Sequence, residues 1–158
     1  MSPADRHDLA LFLHLLGVVA MLSGIVVAAV AHGAARRRST AAEVAALLGA
    51  ARTGVLLAGP GALVVVGSGA WLVDLLGIGY GAGWLSAALA LLAAALVLGA
   101  LGGRAPKRAR LLAEQHAAAR QPVSPQLRAL LDDRPSRLLN HASALLMIGV
   151  LALMVFKP

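Results

Sequence analysis

The chain has no cysteine. That excludes a disulfide framework, a thiolate metal site and a cysteine nucleophile. Charge is scarce as well: only 13% of the 158 residues are Asp, Glu, Lys or Arg, against about 25% in a typical soluble domain. Aromatic residues number five, Phe12, Trp71, Tyr80, Trp84 and Phe156. No Gly-rich phosphate loop, Ser/His/Asp arrangement, pair of intramembrane carboxylates or nucleic-acid motif occurs, so no reaction is assigned and a nucleic-acid partner is not expected. What remains is apolar: 59% of the residues are hydrophobic, a share that points to lipid as the solvent.

Crossing a hydrocarbon layer about 30 Å thick takes about 20 apolar residues. Four runs reach that length: Leu9 to Ala31, roughly Val55 to Leu76, roughly Ala82 to Leu101, and Leu138 to Phe156. None has Lys or Arg within it. Helices of a soluble protein would need polar outer faces, which these lack. The expected architecture is all-α: an integral-membrane, up-and-down bundle of four transmembrane helices in a single domain, with an amphipathic segment over 104–137.

The net charge of +7 is confined to particular loops. Arg36, Arg37, Arg38 and Arg52 flank the link between spans one and two. Arg104, Lys107, Arg108, Arg110, Arg120, Arg128, Arg134 and Arg137 lie between spans three and four. Only Arg6 and Lys157 fall on the other side. By the positive-inside rule, loops 32–52 and 104–137 face the cytoplasm and both termini lie outside, in the plasma membrane. The N-terminus is not expected to be a signal peptide: Asp5, Arg6 and Asp8 precede the first run and the arginines follow it, the reverse of the usual charge order. All five aromatics then fall near outer ends of spans, as an interfacial belt or the lining of an outer-leaflet pocket.

Local signals add detail. Thr40-Ala-Ala-Glu43 has the form of a capping box, so the second helix begins near Ala41, before its apolar run. Pro60 removes a backbone donor and predicts a kink there. Pro106 to Gln121 reads as a basic helix, attracted to anionic lipid heads, and Ser124-Pro125 as the cap and first residue of a short helix ending near Asp133. Ser86, Ala90 and Ala94 form one small-residue stripe on span three, and Ala95, Gly99 and Gly103 another; such stripes let helices approach closely. Faces lined by Gly and Ala also point to a homo-oligomer or a larger membrane complex.

Ionisable groups inside a membrane are costly and mark functional sites. His14 and His32 are eighteen residues apart, five helical turns, on one face and about 27 Å from each other. Met21 shares that face, and Gly17 and Gly24 flank it. An imidazole beside small residues suits a flat cofactor such as haem, whose iron takes a His ligand. Asp74 and Trp71 fall at the depth of His14, where Asp74 is placed to orient its ring; His141 falls at the depth of His32. His14 with Met21 is also a donor set for copper. Each of these groups equally suits a structural role, a histidine by bonding a carbonyl on a neighbouring helix.

The stretch Arg137-Leu-Leu-Asn140-His141 through Val155-Phe-Lys157-Pro158 resembles the last helix of the HemJ-type protoporphyrinogen oxidases, which has an Arg-x-x-Asn start and a Lys-Pro finish. His14 with Gly24 is similar to their first helix, Arg52, Pro60, Gly69, Trp71 and Leu72 to their second, and Trp84-Leu85 to the start of their third. An uncharacterised family of predicted integral membrane proteins shares this outline, as does, more loosely, the CopD copper-resistance membrane domain. The resemblance covers all four spans. It implies b-type haem on His14, or copper or small-solute transport if the CopD likeness dominates. Ala87 and Ala88 stand where the oxidases have a lysine, His141 where they have an acid after the Asn, and Ile25, Val26 and Val27 where they are rich in aromatics. These departures argue against protoporphyrinogen oxidation and for the uncharacterised relatives.

Overall fold

The computed structural model describes residues 2–156; the closing Lys157-Pro158 lies outside the described residues. The chain is all-α, with no strand among the described residues. Six helices follow in order: α1 (Pro3–Ala35), α2 (Ala41–Leu75), α3 (Gly83–Gly102), α4 (Arg104–Ala118), α5 (Pro125–Leu131) and α6 (Arg134–Phe156). Four of them, α1, α2, α3 and α6, belong to stretches long and apolar enough to cross a membrane. A helix is the natural solution in lipid, because every backbone donor and acceptor is satisfied within the segment.

The ends obey local chemistry. Behind α2, the Thr40 hydroxyl accepts from the Glu43 amide at 3.3 Å and donates to the Glu43 carboxylate at 2.7 Å. Ser124 caps α5 by accepting from the Leu127 amide at 3.2 Å. Asp133 caps α6 by accepting from the Ser136 amide at 2.9 Å. Those Ser136 bonds hold the Asp133 carboxyl below its ordinary range. Two helices end in the paired 6→1 and 5→2 bonds of a Schellman motif. In α2 the left-handed residue is Gly77, at φ 63°. In α4 it is Arg120, at φ 53°, with Gln121 N–H donating to the His116 carbonyl at 2.8 Å.

The helices group into two compact units. The first comprises residues 1–34 and 46–79, an antiparallel pairing of α1 with α2. Here the backbones meet at glycine. A Cβ built on Gly24 would lie 2.4 Å from the Gly54 carbonyl oxygen, and one on Gly54 would lie 2.5 Å from the Gly24 carbonyl oxygen. About two turns along, Gly61 stands against the backbone of Met21, and Gly17 against the side chains of Val64 and Val65. Without a hydrophobic force between helices in lipid, such close approach supplies van der Waals contact in its place.

The second unit comprises residues 35–45 and 80–158. Its long pair is α3 with α6. Ser143 donates to the Ala95 carbonyl at 2.7 Å, and the Asn140 amide donates to the Gly102 carbonyl at 3.3 Å. Gly99 faces Ser143, and Gly149 faces Leu91. Of the two small-residue stripes on α3, Ala95 and Gly99 therefore meet α6, whereas Ser86, Ala90 and Ala94 are exposed. Ser86 instead bonds the Tyr80 and Ala82 carbonyls beside it. The α4 and α5 helices pack on each other, with Ala109, Ala113, Leu127 and Leu131 buried. Arg128 fastens the α1–α2 link to this layer: its guanidinium donates to the Arg36 carbonyl at 2.7 Å and the Arg38 carbonyl at 2.8 Å. Arg36 in turn donates to Asp132 at 2.9 Å.

Candidate functional site

His14 lies about three helical turns from the start of α1, on the stripe that carries Ala10, Gly17, Met21 and Gly24, all buried. The half-buried imidazole reaches across to α2. Its Nδ1 is 3.1 Å from the Val65 carbonyl oxygen and 3.4 Å from the Ser68 hydroxyl. Ser68 is buried and also donates to the Val64 carbonyl. Gly69 makes the room: a Cβ there would sit 3.2 Å from Cε1 and 3.3 Å from Nδ1 of His14. A carbonyl only accepts, so Nδ1 carries the proton in this pairing and the lone pair falls on Nε2. Nε2 makes no hydrogen bond among the described residues.

This arrangement changes two expectations. The glycines beside His14 do not frame an open slot between α1 and α2: Gly17 and Gly24 are closed by Val64, Val65, Gly54 and Ala58. The ring is oriented by the Val65 carbonyl, the task the sequence assigned to Asp74. Asp74 is exposed, and it lies five residues beyond Gly69, about 7–8 Å further along α2. Val65 and Ser68 were not singled out beforehand, and Gly69 entered only through the resemblance of the second span. Val65 acts through its backbone, which leaves no mark in a sequence; Ser68 between two glycines in an apolar run was the available signal.

The other candidates are dispersed. Met21 is buried, with its backbone against Gly61. Trp71 is half-buried on α2, and His32 is half-buried in the last turn of α1. His141 is exposed in the second unit, where it lines a cavity with Arg134, Arg137 and Leu138. Among the described residues no group of three or more His, Cys, Asp or Glu stands close enough to hold a metal ion. His14 by itself offers one imidazole nitrogen with its lone pair available and its opposite nitrogen bonded to a carbonyl.

Four apolar membrane-length helices, capped at polar loops and joined by glycine-mediated contacts, define an all-α integral membrane protein. The chain matches the family described as predicted integral membrane protein, DUF2269, over residues 8–158, and belongs to it. Neither a curated protein nor a solved structure matches.

Proposed function

We infer that this chain is a haem-binding, redox-associated membrane protein in which Nε2 of His14 is an axial ligand. The observation that carries this reading is the bond between His14 Nδ1 and the Val65 carbonyl. It sets the tautomer and ring orientation that ligand histidines use, and raises the basicity of Nε2. The resemblance to HemJ-type helices at His14 and Gly24 supports it. Because Gly17 and Gly24 are filled by α2, the cofactor ring lies outside the α1–α2 seam, and the second axial ligand comes from a facing helix or another copy of the chain. The protein sits in the plasma membrane with termini outside and loops 32–52 and 104–137 in the cytoplasm. The absence of cysteine makes that orientation simple to test by single-cysteine labelling.

The decisive experiment is an absorption spectrum of the full chain purified after expression with haem supplied. A Soret band that is lost in His14→Ala and shifts in Val65→Pro, whose carbonyl is displaced by the altered backbone, supports the assignment. A colourless preparation, or a band indifferent to His14→Ala, overturns it.

A second reading has its own observation. The His14 contact also locks α1 to α2 as an interhelical polar clamp, and clamps of this kind average about 0.6 kcal/mol in membranes. On that reading the protein is a non-enzymatic subunit of a larger membrane complex, and the purified chain is colourless and stable only with a partner polypeptide. Copper or small-solute handling of CopD type, through His14 and Met21, would instead show as bound copper that both substitutions abolish.

A further inference from the structure

Arg134, Arg137, Leu138 and His141 follow the spacing i, i+3, i+4, i+7 and share one face of the first two turns of α6. They line an open, largely apolar surface pocket of about 160 Å³. The side chains of Arg134, Arg137 and His141 make no ion pair or hydrogen bond among the described residues. The adjacent carboxylates bond elsewhere, Asp132 to Arg36 and Asp133 to the Ser136 amide, so neither guanidinium is held in an ion pair. Leu138 is 69% exposed.

The depth is informative. The apolar run of α6 starts at Leu138. Arg134 to His141 spans about 10 Å along the axis, and the polar headgroup layer is about 5–7 Å deep on each side of the hydrocarbon. The arginines therefore stand at headgroup level, with Leu138 at the edge of the acyl chains. In the same unit Arg104, Lys107 and Arg108 are exposed on α4, adding to the positive potential at this end.

We propose that this face of α6 is a binding site for the phosphodiester headgroup of an anionic phospholipid. Arg134 and Arg137 hold the phosphate oxygens, His141 donates a ring N–H, and Leu138 lies along an acyl chain. Planar guanidinium forks match phosphate oxygens better than point charges do. The exposed leucine favours a lipid over inorganic phosphate, which would leave it uncovered.

The test uses the full chain reconstituted in vesicles of equal parts phosphatidylglycerol and phosphatidylcholine, with retained lipid read by native mass spectrometry. At about 1 kcal/mol per basic residue near a membrane surface, Arg134→Gln or Arg137→Gln alone lowers the preference for phosphatidylglycerol about fivefold, and the double variant about thirtyfold. Lys107→Gln with Arg108→Gln, equal in charge but off the cavity, lowers it by less than a third of that. The double lysine variant, Arg134→Lys with Arg137→Lys, keeps the charge and retains an intermediate preference, a reading that survives if the glutamine variants do not fold. Equal losses from the α4 and α6 glutamine pairs overturn the site in favour of diffuse attraction. Displacement of phosphatidylglycerol by millimolar inorganic phosphate overturns the lipid assignment in favour of a free anion. No preference in the native chain overturns both.

Discussion

Replacing Gly24 with alanine puts a methyl group 2.4 Å from the Gly54 carbonyl oxygen and 2.7 Å from the Ala58 amide nitrogen. Both obstacles are backbone and cannot swing aside. Ordinary contact begins near 3.4 Å, so α1 and α2 must separate by about 1 Å at their closest crossing. Overpacking of this kind costs about 1–3 kcal/mol. At about 2–4 °C per kcal/mol for a chain of this size, the midpoint of thermal unfolding in detergent falls by roughly 2–12 °C. Gly67 supplies the control: it too lies within α2, but a Cβ there meets nothing within 4 Å. Alanine at Gly67 reduces backbone freedom without a clash and shifts stability between zero and about 1 kcal/mol upward. The two substitutions are chemically identical and differ only in what the new methyl meets. Far-UV circular dichroism on the full chain in micelles, checked by size exclusion, measures both. A Gly24→Ala midpoint at or above that of the native chain refutes the close crossing, as does a Gly67→Ala midpoint that drops equally.

Other substitutions probe other contacts. Ser143→Ala removes the bond to the Ala95 carbonyl between α6 and α3, and should destabilise the chain by about 0.6 kcal/mol in mixed-micelle unfolding. Arg120→Gly should stabilise it by about 0.5–1 kcal/mol, because glycine adopts the left-handed conformation without strain, whereas Gly77→Ala should cost a similar amount at the matching position of α2. Asp133 gives a pH signature. Its carboxyl titrates lower in the folded chain than in the unfolded one, so its stabilising contribution is present above the ordinary carboxylate range and is lost as pH falls through the depressed folded value. Protection of the Ser136 amide, its exchange rate taken against the intrinsic rate at each pH, should fall over that acid interval in the native chain and should be low and unchanged across it in Asp133→Ala.

The number and kind of helices were legible without coordinates. Lipid forces backbone satisfaction within each segment, so four apolar runs of sufficient length become four long helices. Helix ends were legible for a related reason: Thr40 with Glu43, and Ser124 with Pro125, act on amides within three residues, and nothing distant competes. The long polar stretch after α3 resolved as α4 and α5 because Leu127, Leu131, Ala109 and Ala113 are spaced to bury one face each.

Tertiary structure decided which faces met and at what register. A small-residue stripe shows that a helix can be approached, not by what. Ala95 with Gly99 met α6 while Ser86, Ala90 and Ala94 stayed exposed, and Gly17 with Gly24 were closed by α2 rather than left for a flat ligand. The difference between Asp74 and Val65 as the partner of His14 is about two and a half helical turns of register, and charge patterning fixes depth no more finely than that. The acceptor chosen was a backbone carbonyl, which every residue carries and no sequence advertises. The same holds for Arg134, Arg137 and His141: their spacing was visible, but that their neighbouring carboxylates bond elsewhere, leaving both guanidinium groups without an ion pair, is a property of the folded chain alone.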